Sequence, residues 1–286
     1  MLRAAYLECE RMAAAHYENF PVASWLLPRE MRPHIAAIYA FARAADDFAD
    51  EGTLAAAERL RLLDDWERRL HACVESGGGN KDDQVFLALG ATIRTRNLPV
   101  KLFEDLLSAF RQDITTHRYA NWDALLHYCE RSANPVGRLV LRVAGYDDAR
   151  LDRSSDGLCT ALQLTNFWQD LSRDWQKDRL YVPLEDVEAD RARLEDLSAR
   201  RMTQPWQQVL ARVSQRTRAS FELGRDVCDG VSGRLRHELR FTWLGGVRIL
   251  DRLEGANFDV FTRRPTLNGA DMPSLVWQAL LWGHRA

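Results

Sequence analysis

The sequence predicts an all-α fold, folded as one domain over residues 1–286, and three observations carry the prediction. Apolar residues recur at the three-and-four spacing of a helix through most of the chain. No stretch shows the strict apolar–polar alternation of a half-buried strand. The periodic stretches stop at glycine or proline, at Gly52, Gly77-Gly78-Gly79, Pro99, Gly145, Pro183, Pro205 and Pro265.

In chain order, the first clear helical pattern runs from Arg29 to Asp50 and carries Ile35, Ile38, Tyr39, Ala42 and Ala45 on one side. Helical stretches follow near 55–75 and 82–95. Another shows Leu102, Phe103, Leu106, Leu107, Phe110 and Ile114 at helical intervals. The spacing predicts further helices near 122–144, 150–175, 205–230, 235–255 and 271–283. Pro135 falls inside one of them, where it removes a backbone bond and frees the Arg131 carbonyl. Arginine and acid alternate from Glu185 to Arg201, which reads as a solvated connector or short helix.

A chain of 286 residues with 46% hydrophobic and 28% charged residues can bury a sizeable core as a soluble protein. A formal net charge of −2 argues against a nucleic-acid partner held by phosphate contacts. Five scattered cysteines without a Cys-x-x-Cys pair suit reduced thiols in a cytosol and carry no zinc signature. The first residues lack the apolar run of a signal peptide, and no stretch reaches the roughly 18 apolar residues of a membrane span. The expectation is a cytoplasmic protein with no transmembrane segment, at most peripheral to a membrane.

The chemistry concentrates in TALQLTNFWQDLSRDW, Thr160 to Trp175. Residues four apart on a helix are offset by about 40° and rise about 6 Å, so Asn166, Asp170 and Asp174 form a ladder of oxygens, with Gln163 on the same line. Leu162, Leu164, Phe167, Trp168 and Leu171 surround it, and a carboxylate among apolar groups needs a cation. Hard oxygen donors from one or two carboxylates, completed by phosphate and water, describe magnesium. One acidic pair means little, since a chain with 41 acids holds about six acid-x-x-x-acid pairs by chance, most of them solvated. A counterpart raises the weight of this one. In AIYAFARAADDFADEG, Ala37 to Gly52, an apolar helix gathers Asp46, Asp47, Asp50 and Glu51 at its C-terminal end, where the helix dipole disfavours carboxylates. Asp46 and Asp50 share a face. Arg43, one turn earlier, either pairs with Asp46 or offers a fork to phosphate oxygens. Two such banks suggest metal ions held between them.

Together, YAFARAADDFADE and QLTNFWQDLSRDWQKDRLYVP resemble the squalene and phytoene synthase family, head-to-head isoprenoid condensing enzymes. The likeness runs from His16 to about Arg264. It implies a helical isoprenoid synthase fold with a central cavity, magnesium as cofactor and an isoprenoid diphosphate as substrate. By that resemblance Asp46 and Asp50 form one magnesium-binding pair, and Asn166, Asp170 and Asp174 the other set. Tyr39, Arg43, Gln163 and Arg179 match positions that hold diphosphate or its metals. Tyr128 matches a tyrosine of the reaction chamber, and His16 a histidine preceding Leu-Leu-Pro. Phe20, Trp25, Phe41, Phe167 and Trp168 are candidates for an aromatic lining, or else plain core.

Departures from the common family pattern narrow the reading. Asn19 stands where many members have serine, Gln169 where they have arginine, and Gly246 where a tyrosine often meets diphosphate. A polar run, Glu130, Arg131, Ser132, Asn134 and Pro135, replaces a small apolar segment. HYENFPVAS, YCERSANPVG and NFWQDLSRDW resemble the hydroxysqualene synthase branch of bacterial hopanoid pathways, which implies ionisation of presqualene diphosphate and capture of the cation by water. Under that reading Tyr128, Asn134, Asp46 and Asp170 are the catalytic candidates, and other pathway enzymes are partners to expect. The alternatives are a synthase that condenses two prenyl diphosphates to presqualene diphosphate or phytoene, and a non-catalytic member acting in assembly.

Overall fold

The computed structural model describes residues 1–15, 27–50, 54–75 and 83–283. His16, Asn19, Phe20, Trp25 and Glu51 lie outside them. Among the described residues the regular structure is helical, apart from one isolated bridge between Arg118 and Leu180. The chain packs into two compact units, Met1–Thr115 with Pro135–Asp152, and Thr116–Asn134 with Arg153–Ala286.

The first unit begins with a helix that apolar periodicity does not reveal, α1 (Leu2–Ala15). Its buried residues are Ala5, Cys9 and Ala13, spaced by four. These small side chains pack against Ala36, Ala37 and Ala40 of α2 (Arg32–Asp50) and Ala88 of α4 (Gln84–Arg96), so the helices meet through methyl-sized contacts. The remaining core combines aromatic rings with buried aliphatic residues such as Leu63, Leu70, Leu106 and Leu107. Phe41 of α2 is fully buried, with its ring centre 5.9 Å from Trp66 of α3 (Ala56–Glu75), 5.9 Å from Phe86 and 5.5 Å from Phe103 of α5 (Val100–Thr115). Trp66 Nε1 donates to the Phe41 carbonyl at 3.2 Å, satisfying a buried indole. Phe41 is therefore core. Local chemistry closes α4, where Asp83 accepts from the Phe86 N–H and Asn97 stops the helix in the left-handed region at φ 50°.

The predicted helix near 122–144 is divided at Ala133 into α6 (Trp122–Ser132) and α7 (Asn134–Val143). Pro135 explains the break, because its ring excludes the bond a continuous helix would need. Of the polar run there, Glu130 is exposed and pairs with His127, while Asn134 is buried.

The second unit is organised on α8 (Ala149–Gln176), whose 28 residues match the predicted span within one residue at each end. Trp168 is fully buried and donates from Nε1 to Thr217 Oγ1 at 2.8 Å on α11 (Gln204–Leu223). It too is core. Past α11 come α12 (Val227–Gly230), α13 (Gly233–Gly255) and α14 (Met272–Leu280). The stretch read as a solvated connector holds two short helices, α9 (Leu184–Ala189) and α10 (Leu194–Ser198), and is not solvated throughout. Asp186 is 3% exposed because Trp122 Nε1 donates to it at 2.7 Å and Arg212 lies beside it at 3.4 Å. Asp196 is buried with Arg201 at 2.8 Å. Long-range partners, invisible in local composition, carry Asp186 inside, whereas Asp196 is held by Arg201 five residues further along the same stretch.

Candidate active site

The two acidic sets belong to different units and take their positions from their own helices. In the first unit, α2 brings Arg43, Asp46 and Asp50 to half-buried positions on a helix whose other side holds Ile35, Ile38, Phe41 and Ala45. Arg43 Nη2 is 2.6 Å from Asp47 Oδ1, and Nη1 is 3.7 Å from Asp46 Oδ2. The fork thus spans two successive acids, the i, i+3 and i, i+4 geometry of a helix face. Arg59 Nη1 donates to the Ala49 carbonyl at 2.9 Å, placing a cation at the C-terminal end of α2 where the acids gather. Tyr39 is half-buried against the small-residue cluster.

In the second unit, Asn166 Nδ2 donates to Asp170 Oδ2 at 3.1 Å, so the predicted ladder forms as a connected pair. Arg264 then grips the same carboxylate with both arms, Nε to Oδ1 at 2.5 Å and Nη2 to Oδ2 at 2.9 Å. Arg173 lies 3.7 Å from Oδ1. Gln169, at the position where arginine is usual, donates from Nε2 to the Pro265 carbonyl and ties the segment carrying Arg264 to α8. Arg264 supplies the cation that the half-buried Asp170 requires, a role the residues around Asp170 demand but do not locate in the sequence.

Asp174 lies at the end of the ladder. Its carbonyl accepts from the N–H groups of Lys177 at 3.0 Å and Arg179 at 2.8 Å, so the chain folds back after α8 and Arg179 follows the ladder directly. If Arg179 holds diphosphate, Arg179→Lys lowers kcat/KM about tenfold, the ~1.4 kcal/mol of one charge-assisted hydrogen bond that an ammonium cannot replace in a planar fork. Unchanged steady-state kinetics in the lysine variant would assign Arg179 to the solvated surface.

Tyr128 is buried in an aromatic group with Tyr119, Phe167 and Tyr181. Phe167 and Tyr181 stack nearly parallel at 3.8 Å. Asn134 is 6% exposed, and its Oδ1 accepts from Thr160 Oγ1 at 2.9 Å on α8. Gln163 is half-buried on the same helix. Gly246 is buried, and a Cβ there would lie 2.5 Å from the Phe221 ring and 2.8 Å from Leu162 Cδ2. A tyrosine at 246 has no room, because Phe221 and Leu162 already fill that volume.

The thiolate form is disfavoured by burial at four of the five cysteines. Burial pushes Cys73 up to about 11 and Cys9 and Cys228 up to about 12, and it raises Cys129 as well. Among the described residues no group of three or more His, Cys, Asp or Glu side chains converges to hold a metal. The two-carboxylate sets consist of hard oxygens, which fits magnesium, an ion that takes one or two carboxylates and completes its shell with phosphate and water.

Both units thus carry aspartates on helix faces with an arginine guanidinium beside them. The chain belongs to the squalene/phytoene synthase family, whose sequence model matches residues 13–271. It is 39% identical over 205 residues to a hydroxysqualene synthase from Zymomonas mobilis, covering 71% of this chain and 67% of that protein. It is 42% identical over 191 residues to a hydroxysqualene synthase from Sinorhizobium fredii, covering 66% of this chain and 63% of that one. These matches span about two thirds of the relatives' lengths. The crystal structure of squalene synthase HpnC from Alicyclobacillus acidocaldarius superposes with a TM-score of 0.84 at 40% identity, covering 90% of this chain and 95% of the other. The isoprenoid synthase fold expected from the motifs is the fold of the protein. Among the described residues no helix is long and apolar enough to cross a membrane.

Proposed function

We propose that this enzyme ionises presqualene diphosphate and lets water capture the rearranged cation, giving hydroxysqualene and releasing diphosphate, in the cytoplasm of a bacterium. The observation that carries the reading is the 39–42% identity to relatives named hydroxysqualene synthase. The carbon–oxygen bond to diphosphate breaks with its electron pair leaving on oxygen. A carbon–oxygen bond to water then forms, and the water gives up a proton.

Magnesium, when bound, would neutralise diphosphate charge and make it a better leaving group. Asp46 and Asp50 in the first unit, and Asn166, Asp170 and Asp174 in the second, are the two sets of oxygen donors that would bind such ions, each on its own helix. Arg43 and Arg179 would stabilise charge as it develops on the leaving oxygen, the electrostatic contribution that is usually largest in catalysis. Tyr128, with its aromatic neighbours, offers faces that stabilise a cation and exclude stray water. The capturing water would be held where α6 ends. There Ser132 Oγ is buried and has no hydrogen-bond partner among the described residues. Asn134, with its carbonyl oxygen occupied by Thr160, keeps an amide to donate.

The test uses ¹⁸O-labelled water, presqualene diphosphate and magnesium, without nicotinamide. The expected product is an alcohol that carries the label. Asn134→Ala should leave ionisation running while at least about half of the product becomes dehydrated or rearranged hydrocarbon, the result of losing one ~1 kcal/mol contact to the water. Formation of squalene only with reduced nicotinamide, or condensation of two prenyl diphosphates as the main reaction, would overturn the water-capture reading.

A further inference from the structure

The turn after α8 is clasped by an arginine that the proposed reaction does not use. Beyond Gln176 the chain reverses through Asp178, whose φ of 59° lies in the left-handed region that asparagine and aspartate tolerate better than most residues. Arg118 holds both sides of that reversal. Its Nη1 donates to the Asp178 carbonyl, and its Nη2 donates to Asp178 Oδ1 at 2.6 Å. Its guanidinium also lies 5.0 Å from the centre of the Trp175 ring, on the last turn of α8. The clasp stands on a fixed base. Leu180 N–H donates to the His117 carbonyl at 2.9 Å, Leu184 N–H donates to the Tyr119 carbonyl at 2.9 Å, and Tyr119 stacks on Tyr181 at 5.7 Å. Hydrogen bonding from Arg118 holds the Asp178 carboxyl below the usual carboxylate range, so the clasp is charged throughout the neutral region.

Stability is a weak reason for this arrangement, because the Asp178 side chain is 78% exposed and exposed ion pairs contribute little. Geometry is the stronger reason. One planar group fixes residues 175 and 178, and the next residue in the chain is Arg179. We propose that Arg118 is a positioning residue, which holds the Trp175–Asp178 turn so that Arg179 leaves it in one fixed direction beside Asp174, ready for a diphosphate. The proposal rests on the reading of Arg179 as a diphosphate-binding residue.

A double-mutant cycle separates the two claims. Inorganic diphosphate with magnesium chloride is titrated calorimetrically into the full chain carrying Arg118→Gln, Arg179→Gln or both, and thermal melts are recorded. Arg179→Gln should weaken binding about tenfold and Arg118→Gln about fivefold, with the melting temperature of the latter within about 1 °C of the parent. The double variant should bind no more weakly than Arg179→Gln alone, since Arg118 acts only through Arg179. Arg118→Lys, which keeps one donor, should recover part of the loss. If Arg179→Gln weakens binding while Arg118→Gln does not, or if the two losses multiply, the positioning role is wrong and the Arg179 reading stands. If Arg179→Gln itself changes nothing, the Arg179 reading falls and the positioning role falls with it.

Discussion

Asp170→Asn should lower turnover of the proposed substrate, presqualene diphosphate, about a thousandfold, the upper range for losing one preorganised electrostatic contact. The substitution keeps the shape of the side chain and removes its charge, so it isolates electrostatics from packing. Asp170 is where contacts converge: Asn166 donates to it, Arg264 grips it with two hydrogen bonds, and Arg173 lies nearby. An asparagine can still accept from Arg264 with its carbonyl oxygen, but its amide opposes the second arm. Stability should fall by about 1–3 kcal/mol, the cost of leaving a partner of a charged hydrogen bond unmatched. Asp50→Asn, at the end of α2, should cost a similar factor in turnover with little change in stability, because its side chain is half-exposed. Single-turnover release of diphosphate at saturating magnesium measures the first effect, and thermal melts the second. Turnover within tenfold of the parent for Asp170→Asn would remove this carboxylate from the proposed magnesium-binding set.

The contrast between Asp170 and Arg264 shows what was legible in the sequence. Asn166, Asp170 and Asp174 share one helix, so a spacing of four was enough to place them on one face, and the bond between Asn166 and Asp170 agrees with that. Arg264 lies 94 residues further on, in a segment without periodicity, and only the tertiary fold brings it to Asp170. Asp186 was misread for the same reason, since its burial depends on Trp122 and Arg212, which no local pattern links to it. The helix α1 was missed for a different reason: it packs through Ala5, Cys9 and Ala13, and small residues give almost no signal in a hydrophobic pattern. The longer helices were legible because Leu, Phe and Ile carry their buried faces. Their ends agreed best where glycine or proline marks a break, as at Gly145 before α8 and Pro205 at the start of α11.

Gly224→Ala should destabilise the protein by about 3 kcal/mol, the upper range for overpacking a well-filled interior. Conformation is not what requires glycine here, since its φ of −79° and ψ of −7° are open to any residue. The constraint is distance. An added Cβ would lie 2.4 Å from the Leu158 nitrogen and 2.6 Å from Leu158 Cα, both backbone atoms of α8 that cannot swing aside as a side-chain tip could. The approach is mutual, because a Cβ on Gly157 would lie 2.9 Å from the Gly224 nitrogen. Ser154 fastens the same crossing, with its hydroxyl accepting from Val227 N–H at 2.8 Å and donating to the Leu223 carbonyl at 3.2 Å. Relief would have to come from moving α8 against the end of α11, and α8 carries Asn166, Asp170 and Asp174. The melting temperature should fall by about 6–12 °C, at about 2–4 °C per kcal/mol for a large domain. Gly255→Ala is the control, because nothing lies within 4 Å of a Cβ built there, and its melting temperature should stay within about 2 °C of the parent. A Gly224→Ala protein that melts with the parent would show that α8 and α11 are not in backbone contact at Leu158, and the close crossing that steadies the Asp170 helix would have to be abandoned.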